Sequence, residues 1–190
     1  LTDGHSKLSG DDWAYGLNLG LLYELDEETR FGVSYRSQIE HRLEGDMTLS
    51  GVGALSGIYP YHSDLTLPET LLLSAYRRLD DRWAVMGDLV WTRWSRYHEI
   101  RIEFDNGMPD DVTVEDWEDS WRITLGTEYR RNARWTFRAG IAFDQSPISG
   151  AQLRTPRLPG SDRRWISLGA SYHPTDTVAI DFAYAHLFFA

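Results

Sequence analysis

The 190-residue sequence predicts an all-β fold: an antiparallel up-and-down transmembrane β-barrel, with about eight strands of its wall present. Three observations predict it. Large apolar side chains recur at every second residue in eight separate segments, while helical periodicity is poor. Short charged turns alternate strictly with long polar loops between those segments. Aromatic residues, 13% of the chain, gather at the segment ends, as they do at the two water interfaces of a membrane barrel.

The first segment, Trp13–Tyr23, sets Trp13, Tyr15, Leu17, Leu19, Leu21 and Tyr23 against Ala14, Gly16, Asn18 and Gly20. In the second, Phe31, Val33, Tyr35 and Ile39 alternate with Gly32, Ser34, Arg36, Gln38 and Glu40. The third, Leu67–Arg78, carries Leu71, Leu73 and Ala75 on its apolar face. Trp83, Val85, Leu89 and Trp91 mark the fourth, and Trp121, Ile123, Leu125 and Tyr129 the fifth. The sixth alternates Trp135, Phe137, Ala139, Ile141 and Phe143 with Thr136, Arg138, Gly140, Ala142 and Asp144. The seventh, Arg163–Tyr172, presents Ile166, Leu168, Ala170 and Tyr172; the eighth presents Val178, Ile180, Phe182 and Tyr184. Each is about ten residues long, enough to cross a bilayer at a tilt. Short turns fall near Asp26–Thr29, Arg77–Arg82, Arg130–Arg134 and His173–Thr177. Long polar loops are expected at Glu44–Thr66, Asp105–Asp119 and Gln145–Asp162.

Composition narrows the function. A net charge of −10 argues against a nucleic-acid partner. The absence of cysteine excludes disulfides and thiolate chemistry. No run approaches the ~18 apolar residues of a spanning helix, which leaves spanning strands open. A soluble lipid-binding barrel would show the same alternation with its faces exchanged. The second face here is rich in Gly, Ala, Ser and Thr, and Lys7 is the sole lysine; that composition suits a polar lumen better than a soluble exterior. Tyr23, Phe31, Trp83, Tyr129, Trp135 and Tyr172 form the expected girdle beside the short turns, with Trp13, Trp91 and Trp121 at the opposite ends. With short turns periplasmic, both chain ends fall outside, so an internal piece of a larger barrel is expected. Leu1-Thr2-Asp3-Gly4 has no signal-peptide pattern.

Candidate site residues lie mostly on the polar face. Arg36, Arg122 and Arg138 could receive a carboxylate ligand. Alternatively they brace a lumen charge network with Glu40, Asp88, Glu128, Asp144 and Asp181. Trp94 and Trp165 are candidates to line an apolar pocket. The loop Gly51–Tyr61 offers Val52, Leu55, Ile58 and Tyr59 either for ligand capture or for packing on its neighbours. The acidic run Asp110–Asp119 lacks EF-hand spacing and reads as a solvated loop. Pro156–Gly160 reads as a turn-rich stretch. The six histidines show no metal-ligand spacing, and no nucleophile elbow or phosphate loop occurs. The expectation is therefore no enzyme, no metal and no cofactor.

In order and spacing, these segments resemble the outer-membrane long-chain fatty acid transporters, the FadL family, and its aromatic-hydrocarbon relatives. The likeness is carried by Asp11-Asp12-Trp13-Ala14-Tyr15-Gly16, Tyr23-Glu24-Leu25-Asp26, Gly32-Val33-Ser34-Tyr35-Arg36-Ser37 and Leu67-Pro68-Glu69. It continues through Trp91-Thr92-Arg93-Trp94-Ser95, the whole of Trp135–Asp144, Ser146-Pro147, Asp162-Arg163 and Trp165. The resemblance implies a fourteen-stranded barrel plugged by an N-terminal hatch. Residues 1–190 would be part of that single barrel domain, strands six to thirteen, without hatch, first strands or closing strand. It implies passive transport of hydrophobic molecules, foremost long-chain fatty acids, with lateral exit through the wall of a Gram-negative-type outer membrane. The implied partners are the fatty acid or another hydrophobic small molecule, and outer-membrane lipid and lipopolysaccharide, around a full-length monomer. The alternatives are aromatic-hydrocarbon uptake within the same family, a small structural eight-stranded outer-membrane barrel, and a soluble lipid-binding barrel.

Overall fold

The computed structural model describes residues 3–154 and 160–190. Among them run thirteen strands: β1 His5–Asp11, β2 Asn18–Glu24, β3 Thr29–Arg36, β4 Ile39–Ser50, β5 Gly57–Leu67, β6 Thr70–Arg78 and β7 Trp83–Thr92, then β8 Glu99–Phe104, β9 Asp111–Val114, β10 Ser120–Arg130, β11 Trp135–Asp144, β12 Arg163–Thr175 and β13 Val178–Phe189. Every pairing is antiparallel. An eight-stranded wall has the order β2-β3-β6-β7-β10-β11-β12-β13, and a second sheet has the order β1-β4-β5-β8-β9.

The wall strands are the eight predicted segments, joined in sequence order as a meander. Three expectations need correction. Five strands stand beside the eight of the wall: the predicted loops Glu44–Thr66 and Asp105–Asp119 hold most of β4 and β5 and all of β9, while β1 precedes the first segment and β8 lies between the fourth segment and Asp105. The first segment is regular only from Asn18; Trp13 and Tyr15 precede it at 88% and 91% exposure. The second ends at Arg36, and β4 starts afresh at Ile39. The outer strands escaped notice because their contrast is low. β4 half-buries Ile39, His41, Leu43, Gly45, Met47 and Leu49 and exposes Glu40, Arg42, Glu44, Asp46, Thr48 and Ser50. β5 contains Pro60, which cannot donate to a ladder and instead accepts from Asp105 N at 3.1 Å. Of the turn-rich stretch Pro156–Gly160, only Gly160 is among the described residues.

The wall keeps one parity throughout. Leu21, Val33, Leu73, Leu89, Ile123 and Phe143 are successive register partners and form one apolar row. Beside it, Gly32, Ser74, Asp88, Thr124, Ala142 and Trp165 form a row of the other face. Exposure is inverted relative to a water-soluble sheet: Leu21 and Phe182 are each 69% exposed, while Ser171 is 2% exposed. The apolar face therefore looks outward and the small, polar face inward.

Three short turns share one construction. Asp26 Oδ1 accepts from Glu28 N (2.9 Å) and Thr29 N (2.6 Å), and Asp80 Oδ1 from Arg82 N (2.7 Å) and Trp83 N (2.8 Å). Asn132 Oδ1 accepts from Arg134 N (2.9 Å) and Trp135 N (3.0 Å). Such Asx turns satisfy backbone donors that a tight reversal strands. Above the wall, β1 lies close on β4 at the pair Gly10–Gly45, where a Cβ on Gly45 would stand 2.0 Å from the Ser9 carbonyl oxygen. The β4–β5 and β8–β9 hairpins meet at His62, whose ring nitrogens lie 3.2 Å from Asp105 and 3.1 Å from Glu103.

Backbone N–H donation, from Glu28 to Asp26 and from Arg82 to Asp80, holds both carboxyls below their ordinary 3.8. A lowered folded pKa contributes stability that is present above 3.8 and is lost as pH falls through the folded value. Hydrogen exchange, corrected for intrinsic rate, is expected to accelerate at Glu28, Thr29, Arg82 and Trp83 below pH ~3.8. The amides of Arg134 and Trp135, held by the non-titrating Asn132, are expected to stay protected. Equal acceleration at all three turns would refute this.

Candidate ligand cavity at the outer end of the wall

At the end of the wall opposite the short turns, a cavity of about 530 Å³ opens on the inward face. Two rows of register partners form its floor. Thr70, Thr92 and Ser120 make one; Val90, Arg122, Asp144 and Arg163 make the next. Their inward direction follows from wall parity, since Trp91 and Trp121 pair on the opposite face. The connections β7–β8, β9–β10 and β11–β12 supply the roof, with Trp94, Trp117, Pro147, Ile148 and Gly160.

The roof is aromatic and braced. Trp94 and Trp117 meet edge to face at 4.9 Å, and Tyr97 backs Trp117 at 4.7 Å. Trp117 Nε1 donates to Glu115 Oε2 at 3.0 Å, and Glu115 is only 1% exposed. Asp116 takes φ 41° there, a left-handed conformation that Asp tolerates. The turn lets Glu115 N and Asp116 N donate to His98 O and Trp117 N donate to Tyr97 O. Burial, followed by the Glu115 carboxylate, pushes the Tyr97 phenol up.

Asp119 ties roof to wall by accepting from Ser95 N (3.0 Å) and Trp91 Nε1 (3.2 Å). Burial works to raise its carboxyl, but the Ser95 and Trp91 hydrogen bonds and the Arg93 charge hold it below the usual range. Glu118 N donates to Pro147 O at 2.8 Å and joins the two roof loops. Buried Glu69 pairs with Arg93 (2.9 Å) and Arg96 (3.3 Å) beside them.

Of the sequence candidates, the cavity brings together Arg122, Trp94 and Asp144. Asp144 pairs with Arg163 at 2.9 Å, although Arg122 is its register partner. Arg122 has no ion pair among the described residues. Arg36 stands beside Thr70 on the neighbouring strand and does not line the cavity. Arg138 lies towards the short-turn end, bonded to Glu128 (2.8 Å) and Ser171 (2.6 Å); Ser171 in turn donates to Asp181. Asp88 is on the inward face between Ser74 and Thr124. Glu40 is on β4, outside the wall, and accepts from Gln38 Nε2 at 2.7 Å. Trp165 faces inward between Ala142 and Leu187, its Nε1 buried without a partner among the described residues. The residues named as a girdle form a turn-side band on the outward face: Tyr23 pairs with Phe31, Trp83 with Tyr129 at 4.6 Å, and Trp135 with Tyr172 at 4.5 Å. Trp117 and Ile148 were not foreseen. The only available signal was a large apolar side chain stranded within a polar loop.

Residues 2–190 match the family described as "Outer membrane protein transport protein (OMPP1/FadL/TodX)". The chain belongs to this family. A long-chain fatty acid transport protein of Escherichia coli O6:H1 is 36% identical over 190 residues, covering 93% of this chain and 42% of that protein. A putative outer membrane protein of Neisseria meningitidis serogroup B is 30% identical over 206 residues, covering 97% of this chain and 44% of that protein. The chain thus spans less than half the length of the curated relatives it matches. The crystal structure of a Pseudomonas aeruginosa FadL homologue superposes with TM-score 0.81 at 24% identity, over 92% of this chain and 44% of the other. The Pseudomonas putida toluene transporter TodX follows with TM-score 0.69 at 25% identity, over 96% and 46%. This FadL/TodX-family chain is an outer-membrane β-barrel segment, its wall open at β2 and β13.

Replacing Asp119 with Ala is expected to release the Trp94–Arg96 turn from the wall. Tryptic cleavage after Arg93 and Arg96 should then rise several-fold, with Glu118→Ala as the control that retains the Asp119 anchor.

Proposed function

We propose that residues 1–190 are a stretch of one outer-membrane barrel domain that takes up hydrophobic molecules by binding and passage, without bond chemistry. The observation that carries this reading is the outer cavity, where an aromatic roof stands over Arg122, a guanidinium free of ion pairs among the described residues. An aromatic roof over a polar floor, where Arg163 is paired with Asp144 and Arg122 is left without an ion pair among the described residues, suits an amphiphile with an acidic head, such as a long-chain fatty acid. The names of the Escherichia coli relatives support the same substrate. A second reading, uptake of aromatic hydrocarbons, draws on Trp94 and Trp117 and on the likeness to the toluene transporter.

Lateral exit into the bilayer belongs to the proposal. Further down the inward face lie Glu128, Arg138 and Asp181, and an apolar cargo passing straight through would have to cross that charged stretch. The outward face is apolar along the wall, which suits a monomer bathed in outer-membrane lipid and lipopolysaccharide.

In the protein as it occurs in the outer membrane, Arg122→Gln is expected to weaken binding of a long-chain fatty acid about tenfold or more, since hydrogen bonds to a charged group contribute about 1.5–3 kcal/mol. Binding of toluene should be unchanged by the same substitution, whereas Trp117→Ala should weaken both ligands. Fatty acid binding that is indifferent to both substitutions would sink the assignment of this cavity.

A further inference from the structure

Two arginines of the cavity floor share one acid. Along a single inward row, Arg122, Asp144 and Arg163 are successive register partners on β10, β11 and β12. Side chains directly opposite one another on adjoining antiparallel strands stand about 4.5–5.5 Å apart at Cβ. Asp144 therefore has a guanidinium within reach on each side. It takes Arg163: Asp144 Oδ2 lies 2.9 Å from Arg163 Nη2. No ion pair joins it to Arg122 among the described residues.

The pair it makes is an incomplete one. An Arg–carboxylate pair is strongest when the planar fork is fully used, and here Arg163 Nε is buried without a hydrogen-bond partner among the described residues. A buried donor left unmade is costly, so part of the gain from the pair is given back. The pair also opens onto the cavity that both residues line, with the Asp144 side chain 15% exposed and that of Arg163 40%. The other acids nearby are engaged or displaced. Asp162, next to Arg163 in the chain, accepts from Ser146 N at 2.8 Å. Asp88 stands one row below Arg122, opposite Thr124.

We infer that Asp144 is a positioning residue that admits and expels an acidic ligand head by changing partners. The inference rests on the reading of Arg122 as the anchor for that head. With Asp144 on Arg163, Arg122 is free to take a carboxylate from the ligand. Rotation of the Asp144 side chain from one staggered well to another brings its own carboxylate to Arg122, where it competes with the ligand for the same donors. The row holds two cations and one resident anion, so both guanidiniums are paired only while a visiting anion is bound. Arg163 acts through Asp144, by holding the competitor away, and not by touching the head. Passage requires a site that binds well enough to fill and weakly enough to empty; a resident carboxylate beside the anchor shortens the stay.

The test measures affinity and dissociation rate of radiolabelled oleate on the full-length protein purified in detergent, with heat-modifiable gel migration confirming a folded barrel for each variant. R163Q sends Asp144 to Arg122 and is expected to weaken oleate about tenfold, as the fraction of protein with a free anchor falls. D144N removes the competitor and should slow oleate dissociation several-fold. D144N combined with R163Q should recover the affinity of the unsubstituted protein, whereas D88N combined with R163Q should not. A loss in R163Q that D144N fails to recover would overturn the inference, since Arg163 would then touch the ligand itself. Dissociation from D144N that is unchanged or faster would overturn it too. Oleate binding indifferent to R122Q would overturn the carboxylate reading and this inference together; a loss in R122Q without the recovery would overturn the inference alone.

Discussion

Inside a bilayer no water is available to satisfy a stray amide, so each strand of the wall must find its partners in the strands beside it. That constraint sets everything else here. Once the ladders are made, side chains can only alternate, and a one-residue slip would turn every one of them to the wrong solvent. The pairings β2 to β13 keep a single parity through seven interfaces, broken only by an irregularity between Tyr172 and Thr175 next to the last turn. Trp91 and Trp121 can meet lipid because Arg122 and Asp144 then cannot. The floor of the cavity is thus a by-product of the same register that builds the apolar belt.

The same strands change solvent as they leave the wall. Below Arg36 the large side chains point out; along β4 the charged ones do. The outer sheet is accordingly held by means suited to water: the His41–Asp12 contact at 3.2 Å, the His62 clasp, and the close seating of Gly10 on Gly45. Exposed ion pairs of this sort each contribute little. The inward-facing chain Glu128–Arg138–Ser171–Asp181 crosses four strands and keeps its charges paired on the polar side of the wall. Charge does opposite jobs at the two levels, bracing loops above and satisfying the lumen below.

The wall was legible in the sequence because its signal is local. Period two needs only neighbours such as Phe137, Ala139 and Ile141, and the reversals were marked by Asp26, Asp80 and Asn132. The outer strands were not legible, because Gly45 and His41 dilute one face of β4 and Pro60 interrupts β5. Parity placed Arg122 and Asp144 on the inward face, and the structure sets them opposite one another. It could not tell that Asp144 would choose Arg163 from the next strand, since that depends on side-chain reach in three dimensions. Trp117 was hidden in an acidic run whose members part company: Glu115 turns inward while Asp116 and Glu118 stay exposed. A cavity made when three loops meet has no periodic trace in any one of them.

The turns also set an order of assembly. Reversals of about four residues at one end contrast with connections of roughly twenty to thirty at the other, two to three doublings of loop length, or ~1–2 kcal/mol more closure entropy for each long one. Hairpins joined by the Asx turns are therefore the cheapest to nucleate, and contacts between the long outer hairpins, such as His62 with Glu103, come late. Zippering from the short-turn end would align each pair of wall strands before its outer extensions meet. The parity of the membrane belt would then be chosen early, by a handful of aspartate and asparagine side chains, and the outer cavity, whose roof needs three outer connections at once, would be the last part to take shape.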